Sequence, residues 1–232
     1  EAGYDFIWLE ELRDTVNLFD KVRSALTAMS PLYKSKPEDP AVILFTSGSE
    51  GAPKGVVLSH ANILANCSQV AQRIYFDNTT DRVFSALPVF HSLGMTGGMV
   101  LPLIYGVPLY LYPSPLHYKI IPKQVAQTKS TILFGTDTFL NGYARAAKDQ
   151  DFDSLRMVVA GAEPVQLKTS QTWKERFKVD VLEGFGMTEA APVLAVNTVE
   201  ENKLGTVGKL LPGIETKLEA VEGISDGGKL FV

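Results

Sequence analysis

The chain has 232 residues, of which 45% are hydrophobic and 21% charged, a composition typical of a globular protein with one large domain or two small ones. Its net charge of −4 at pH 7 provides no basic surface for nucleic acid, and its single cysteine, Cys67, excludes an intrachain disulfide and a cysteine-rich metal site. There is no run of 18 apolar residues, so we expect no membrane span. We also expect no signal peptide, and the single cysteine leads us to expect a reducing compartment.

The first 36 residues carry a weak helical pattern. Its apolar positions are Leu18, Val22, Ala25, Leu26 and Met29. A polar, proline-marked segment at 35–40 then leads to the first strand. Because the sequence begins with Glu1 and ends inside an apparent strand at 229–232, we expect the chain to be a piece of a larger protein.

A short apolar run, 41–45, predicts a buried strand, and the segment TSGSEGAPKG follows it. Glycines let backbone N–H groups turn inward, hydroxyls add donors, and one lysine adds a mobile positive charge. These features predict a phosphate-binding loop. The loop is not the G-x-x-x-x-G-K-[ST] motif, because Pro53 precedes Lys54 and Gly55 follows it. A flexible surface turn is the alternative.

Strands and helices alternate along the rest of the chain. Residues 56–58 predict a strand, Ser59 an N-cap and 60–73 a helix, with an apolar face formed by Ile63, Leu64, Cys67, Val70, Ala71 and Ile74. Further strands are predicted at 83–86, 107–111, 132–134, 157–160 and 179–182, and helices near 95–103, 119–128, 137–147 and 165–177.

This alternation predicts an α/β fold with parallel βαβ units, which bind ligands at the carboxyl ends of their strands. We divide the chain into a lead-in helix and linker at 1–40, a nucleotide- and acyl-binding core at 41–204, and the start of a β-rich subdomain at 205–232. The last boundary follows the change to short alternating strands with glycine turns.

The segment LPVFHSLG at 87–94 places His91 directly after a predicted strand. It predicts either a pocket histidine or a helix-capping His-Ser pair. Gly94, Gly97 and Gly98 begin the next helix. Such small residues either leave room for an acyl chain or allow close packing of helix on sheet.

Two later segments also follow predicted strands. VVAGAEP at 158–164 contains Gly161 and Ala162, whose small side chains would let a flat ring lie on the backbone; an ordinary strand-to-helix turn is equally compatible. EGFGMTE at 183–189 combines an aromatic ring, a threonine and two carboxylates. Its alternative is a solvent loop with one acidic residue.

TSGSEGAPKG and EGFGMTE resemble the signature motifs of the adenylate-forming enzymes, which include acyl-CoA synthetases, luciferases and the adenylation domains of peptide synthetases. The resemblance implies ATP or AMP and Mg²⁺ as cofactors. It assigns nucleotide binding to Thr46, Ser47, Gly48, Ser49, Gly51, Lys54, Gly161, Ala162, Glu163, Glu183, Gly184, Phe185, Gly186, Met187 and Thr188. Phe185 would stack on adenine, and Glu183 would accept a hydrogen bond from the adenine amino group.

The same resemblance assigns four catalytic residues. Lys54 would hold the β and γ phosphates, and His91 would orient the acid. Thr188 would hydrogen-bond the α phosphate, and Glu189 would ligate Mg²⁺. Attack of a carboxylate on the α phosphorus requires alignment and neutralised charge rather than a protein nucleophile, and no G-x-S-x-G elbow is present.

Within that family, LPVFHSLGMT, YLYPSPLHYKIIP, ILFGTDTFLNGYAR and VVAGAEP look like the bacterial acyl-[acyl-carrier-protein] synthetases that are fused to a 2-acylglycerophosphoethanolamine acyltransferase. This resemblance implies a fatty acid substrate, acyl carrier protein or CoA as acceptor, and a role in phospholipid repair. It also implies a location at the cytoplasmic face of the inner membrane, with membrane contact only through other parts of the full protein.

The chain ends at Val232, before the ribose-binding aspartate and the adenylation lysine of the family. We therefore expect the 232-residue chain alone to lack adenylation activity. An acyl-CoA or aryl-CoA synthetase of the same family and a non-catalytic nucleotide-binding module are the alternatives. The tyrosine- and proline-rich segment 109–118 is either core packing or a surface for the acyl chain.

Overall fold

The computed structural model describes residues 9–28, 33–46 and 52–232, which belong to two compact units at 1–36 and 37–232. In the first unit, α1 spans Leu9–Thr15 and α2 spans Leu18–Thr27. Asn17 caps α2: its side chain accepts a hydrogen bond from the Asp20 N–H, and the Asp20 carboxylate accepts one from the Asn17 N–H. The predicted helical pattern is confirmed at α2, and Met29 lies outside the described residues.

Seven strands of the second unit form one mostly parallel sheet in the order β4-β3-β5-β6-β7-β8-β9. Their bounds are β3 Val83–Ser85, β4 Leu109–Leu111, β5 Ile132–Gly135, β6 Met157–Ala160, β7 Val181–Gly186, β8 Val193–Val196 and β9 Lys209–Leu210. The first five strands in this order pair in parallel, and β8 and β9 add antiparallel pairs at the edge. The predicted parallel α/β fold is therefore confirmed.

Helices cover both faces of this sheet, as parallel sheets require. Alternate residues of β5 and β6 enter separate core clusters: Phe134 and Val159 face α3, while Leu133 and Val158 face the opposite layer of helices. The helix bounds are α3 His60–Ala71, α4 Leu101–Ile104, α5 Ile121–Thr128, α6 Asp137–Ala146 and α7 Leu167–Phe177. A π-helix, Leu93–Val100, leads directly into α4, where we predicted one α-helix at 95–103.

The first predicted strand is present, but the prediction that it is buried is wrong. β1, Pro40–Thr46, pairs antiparallel with β2, Lys54–Ser59, in a separate two-stranded sheet. Only one face of this hairpin packs on the core, so Leu44 is buried whereas Ile43 and Phe45 are 55% and 75% exposed. A further two-stranded sheet joins β10, Lys217–Glu219, to β11, Lys229–Phe231.

Ser59 caps α3, as predicted: its hydroxyl accepts a hydrogen bond from the Asn62 N–H, and the Asn62 side chain accepts one from the Ser59 N–H. Cys67 and Val70 are buried on the inner face of the helix. The assignment of Leu64 to that face is wrong, because its side chain is 52% exposed, and the helix ends at Ala71 rather than at residue 73.

The segment 109–118 contributes to core packing. Tyr118 packs on Tyr143 of α6, whose hydroxyl donates a hydrogen bond to the Pro115 carbonyl at 3.0 Å, and Tyr112 contacts His117 at 3.0 Å. Tyr112, Tyr118 and Tyr143 belong to the core layer of α5, α6 and α7. None of them lines the central cavity described below.

Candidate nucleotide and acid site

A cavity of about 190 Å³ lies between α3, the π-helix and the carboxyl ends of β5, β6 and β7. This is the end of a parallel sheet at which ligands bind. We call it the central cavity. The predicted site residues that line it are His91, Gly161, Ala162, Gly184, Phe185, Gly186, Met187 and Thr188. Segments separated by about a hundred residues in sequence thus meet at one concave surface.

The π-helix and the EGFGMTE segment meet at two hydroxyl groups. Ser92 Oγ, in a side chain that is almost fully buried, lies 3.4 Å from Thr188 Oγ1, a long contact for a hydrogen bond. His91 beside it is exposed at the cavity mouth, and its Nδ1 accepts a hydrogen bond from the Leu93 N–H at 3.3 Å. Partial burial of the ring nevertheless lowers the pKa of His91, which favours the neutral form.

With Nδ1 as an acceptor, the neutral imidazole carries its proton on Nε2. His91 can therefore donate one hydrogen bond from Nε2 to an acceptor at the cavity mouth. The hydrogen bond to Leu93, the first residue of the π-helix, matches the capping alternative, while His91 also lines the cavity; its contact with a ligand stays a prediction.

The glycines of the π-helix serve mainly close packing. A Cβ at Gly94 would lie 2.2 Å from the Pro88 carbonyl oxygen, and one at Gly98 would lie 2.3 Å from Ser85 Oγ. Gly97 lines the central cavity, but a Cβ there would already meet Phe134 Cε1 at 3.2 Å. The helix thus approaches the sheet more closely than residues with side chains would allow.

Gly161 and Ala162 form one wall of the cavity directly after β6. A Cβ at Gly161 would lie 3.4 Å from Leu93 Cδ2, which is ordinary van der Waals contact. Ala162 adopts φ +70°, a left-handed conformation that costs a residue with a side chain about 1–2 kcal/mol. Strained backbone of this kind is often found at binding sites.

Two predicted nucleotide-binding carboxylates accept hydrogen bonds from backbone N–H groups at or just before the start of a helix. Glu163 accepts hydrogen bonds from the Thr138 N–H at 2.7 Å and from the Thr138 hydroxyl at 3.1 Å, at the first turn of α6. Burial raises the pKa of Glu163, but hydrogen bonds from Thr136 and Thr138 outweigh that effect and lower it. Glu183 accepts a hydrogen bond from the Val165 N–H at 3.1 Å. Neither carboxylate lines the central cavity, and their contacts with adenine stay predictions.

The structure describes only the two ends of the predicted phosphate-binding loop. Thr46, the last residue of β1, pairs across the hairpin with Lys54, the exposed first residue of β2. Ser47, Gly48, Ser49 and Gly51 lie outside the described residues. Cα atoms of β2 come within 8 Å of those of the 3-10 turn Thr188–Ala190, so the two signature motifs are neighbours.

Glu189 lies exposed on that turn. Within the described parts of the chain, no three His, Cys, Asp or Glu side chains cluster in a way that would hold a metal ion. A lone exposed carboxylate is nevertheless compatible with Mg²⁺, which binds through one or two carboxylates together with substrate phosphates and water. The role of Glu189 stays a prediction.

The sequence did not identify Asn66 as a functional residue. Asn66 is 2% exposed, lines the central cavity, and exchanges two hydrogen bonds with the backbone of Val193. A polar residue between Ile63 and Val70 on the apolar face of α3 was the available signal. A polar side chain at such a position is expected to have hydrogen-bond partners.

A doubly covered parallel sheet with a cavity at the carboxyl ends of its strands, where β2 neighbours the turn Thr188–Ala190, is the architecture of a ligand-binding α/β protein. The model of the family described as AMP-binding enzyme matches residues 7–229. The chain belongs to the AMP-binding enzyme family, which confirms the family resemblance inferred from the two motifs.

Relatives in this family are acyl-CoA ligases. The chain is 30% identical over 208 residues to the long-chain-fatty-acid–CoA ligase of Haemophilus influenzae (strain ATCC 51907 / DSM 11121 / KW20 / Rd), covering 84% of this chain and 37% of that protein. It is 33% identical over 194 residues to the mitochondrial medium-chain acyl-CoA ligase ACSF2 of Mus musculus, covering 79% of this chain and 31% of that protein. The chain thus spans about a third of the length of these relatives.

Solved structures agree with this assignment. The anthranilate CoA ligase AuaEII in complex with anthranoyl-AMP matches with a TM-score of 0.76 and 27% identity, over 82% of this chain and 38% of that one. ATP-bound MatB from Rhodopseudomonas palustris matches with a TM-score of 0.74 and 26% identity, over 86% of this chain and 39% of that one. Among the described helices, none is long and apolar enough to cross a bilayer.

Proposed function

We propose that this chain is the nucleotide- and acid-binding part of an adenylate-forming ligase, which joins a carboxylic acid to the AMP part of ATP with release of pyrophosphate, before the acyl group passes to a thiol and AMP leaves. One observation carries the proposal. Three segments that resemble the family's motifs, at His91, Gly161–Ala162 and Gly184–Thr188, line a single cavity whose remaining walls are mostly apolar. Such a cavity suits a ligand with a polar nucleotide end and an apolar acid end.

The proposed chemistry is positioning together with electrostatic stabilisation. His91 Nε2–H would donate to a carboxylate oxygen and hold the acid in line with the α phosphorus. Thr188, half-buried at the end of the cavity, would donate its hydroxyl hydrogen to the α phosphate. Lys54 would provide positive charge beside the departing pyrophosphate.

Mg²⁺, when bound, supplies further positive charge on the phosphate oxygens. Glu189 would hold it from the turn beside β2, where its side chain is exposed. The neighbouring Thr188 hydroxyl, which contacts Ser92, would donate its hydrogen bond to the α phosphate rather than bind the metal.

Binding by the 232-residue chain tests this proposal. We expect isothermal titration calorimetry to detect binding of ATP and of a non-hydrolysable acyl-sulfamoyl adenosine. Lys54→Ala should weaken ATP binding about tenfold or more, because a charged hydrogen bond to phosphate is lost. It should affect the acyl-sulfamoyl adenosine much less, since that ligand has no β or γ phosphate.

Lys129→Ala is the matched control, because Lys129 is an exposed lysine at the end of α5, a helix that packs in a different core cluster from β1 and β2. It should bind both ligands like the wild type. If neither ATP nor the adenylate analogue bound to the wild-type chain, the site would not be a nucleotide site, and a scaffolding role would be favoured.

The proposal has two versions, which differ in the thiol that accepts the acyl group. The names of the relatives favour CoA. The four segments quoted above, which resemble the acyl-[acyl-carrier-protein] synthetases, favour the carrier-protein thiol, and with it the role in phospholipid repair at the inner membrane. Both acceptors present the same phosphopantetheine thiol, so the sheet and cavity do not distinguish them.

Transfer assays on the whole protein would separate these versions. With one radiolabelled acid and ATP, we expect label on CoA or on carrier protein when each is offered alone, and a preference of at least tenfold when both compete. Label on neither acceptor, despite acyl-adenylate formation, would contradict both versions.

A further inference from the structure

The end of the central cavity that lies away from the nucleotide motifs is apolar. Its walls come from α3, the π-helix and its continuation, and β5. The side chains there are Cys67, Val70, Ile74, Leu101 and Phe134, all buried. Such a surface selects for an apolar ligand body and offers no charge to a second carboxylate.

The polar side chains Asn66, Thr96 and Ser92 either contact other protein groups or are not accessible to solvent. The Asn66 amide is taken by the backbone of Val193 on both its nitrogen and its oxygen. Thr96 lines the cavity, but its hydroxyl oxygen is not accessible to solvent and has no partner within the described residues. Ser92 faces Thr188 at the nucleotide end. The acid body is therefore recognised by shape rather than by hydrogen bonds.

The size of the cavity limits that shape. A cavity of about 150 Å³ lined by leucine, isoleucine and phenylalanine takes up benzene. The central cavity measures about 190 Å³ including its nucleotide end. The space left for the acid body is therefore about that of one six-membered ring or an acyl chain of similar bulk.

Building on the function proposed above, we infer that this site accepts a compact apolar acid, aromatic or of short to medium chain, and that Leu101 is one of the side chains that limit its length. Leu101 is 2% exposed, begins α4 and lines the cavity. A hexadecanoyl chain exceeds the available volume.

A ladder of acyl-sulfamoyl adenosines tests the size limit on the wild-type chain. Affinity rises about fourfold for each methylene group that fits into an apolar site and stops rising at the wall. We expect the benzoyl and hexanoyl compounds to bind best, and the hexadecanoyl compound at least tenfold more weakly. A steady rise in affinity up to hexadecanoyl would overturn the size limit.

Leu101→Ala, with Leu211→Ala as its control, tests the role of Leu101. Both leucines are 2% exposed in the same core cluster, but only Leu101 lines the cavity. Leu101→Ala should raise the affinity for the decanoyl compound about tenfold relative to the hexanoyl compound. Leu211→Ala should keep the wild-type order of affinities along the ladder. An unchanged order in Leu101→Ala would overturn the role of Leu101, and Leu101→Val provides a milder variant if the alanine protein does not fold.

These outcomes are distinct from failure of the proposed function. If AMP and every member of the ladder failed to bind, the proposed nucleotide site itself would be wrong. If AMP and the short compounds bound and the long ones bound better, the site would stand and only the inference about acid size would fall.

Discussion

The side-chain amide of Asn66 and the backbone of Val193, 127 residues apart in sequence, exchange two hydrogen bonds. Asn66 Nδ2 donates to the Val193 carbonyl oxygen at 2.7 Å, and the Val193 N–H donates to Asn66 Oδ1 at 3.1 Å. Val193 is also the β-sheet partner of Gly186, the last residue of β7 and part of the EGFGMTE motif. A buried side chain of α3 therefore fixes the strand that supports the predicted adenine segment.

We predict that Asn66→Leu destabilises the chain by about 1–3 kcal/mol, because the Val193 N–H and C=O lose their partner in a buried place. Urea denaturation measures this loss. The same variant should also weaken acyl-sulfamoyl adenosine binding, because the turn of Gly186 and Met187 loses its support.

Gln69→Leu is the matched control on the same helix. Gln69 donates one hydrogen bond to the Pro212 carbonyl oxygen at 2.9 Å and does not line the central cavity. It should cost less stability and leave adenylate binding unchanged. Equal loss of binding in the two variants would show that α3 acts through general stability, and Asn66 would not be a positioning residue.

Gly161→Ala separates binding from folding. A Cβ at Gly161 would make only ordinary contacts, with Leu93 Cδ2 at 3.4 Å and the Gly184 carbonyl oxygen at 3.5 Å. We therefore expect the free energy of unfolding to change by less than about 1 kcal/mol. The added methyl group would occupy the wall on which the adenine ring is predicted to lie, so AMP should bind at least about tenfold more weakly.

Gly186→Ala provides the opposite case for comparison. Its Cβ would lie 2.1 Å from the Pro192 carbonyl oxygen, so the turn itself would have to move. That variant should lose both stability and binding. Normal AMP affinity in Gly161→Ala would show that the ring does not lie on this backbone.

The elements that sequence reasoning located well are those whose periodicity is local. The strand predicted at 157–160 is β6 at the same bounds, and the helix predicted at 137–147 is α6 within one residue. In both, the apolar pattern and the flanking turn residues point to the same structure. β1 was misjudged because an apolar run indicates a strand but not whether a second layer covers its outer face.

The long-range contacts at the site could not be predicted from the sequence, for a different reason. The pairs Asn66–Val193 and Ser92–Thr188 depend on how α3 and the π-helix pack on the sheet, which no local pattern encodes. Glu163 illustrates the limit. Its place in VVAGAEP predicts a nucleotide contact, which stays a prediction, but does not indicate that its carboxylate accepts hydrogen bonds from Thr138 at the start of α6.

Asp81 should make a pH-dependent contribution to stability. Its buried carboxylate accepts two hydrogen bonds from the Arg156 guanidinium, at 2.7 and 2.6 Å, and one from the Thr131 hydroxyl at 2.8 Å. Burial raises the pKa of Asp81, but these hydrogen bonds, one from the Asp77 N–H and the charge of Arg156 together lower it below its usual value. We predict that Asp81→Asn costs about 2–3 kcal/mol at pH 7.

The sign of the pH effect follows from that lowered pKa. The stabilisation by the carboxylate is fully present above the pKa of the unfolded chain, about 3.9, and is lost as the pH falls through the folded value. The difference between wild type and Asp81→Asn should therefore shrink below pH 4. Asp149→Asn, which breaks an exposed pair with Arg176, should cost less than about 1 kcal/mol. A pH-independent difference for Asp81→Asn would contradict the assignment.

Cys67 offers a direct report of cavity occupancy, because it is the one cysteine in the sequence and lines the central cavity. Burial raises the pKa of its thiol to about 11, so at pH 8 only about one molecule in a thousand carries the reactive thiolate. We predict that a disulfide reagent modifies the native chain at least a hundredfold more slowly than the chain unfolded in guanidinium. The rate should keep rising to pH 10, and saturating acyl-sulfamoyl adenosine should lower it further at every pH. A rate that levels off near pH 8.5, or one that the adenylate analogue does not change, would mean that the thiol is reached by a route that avoids the cavity.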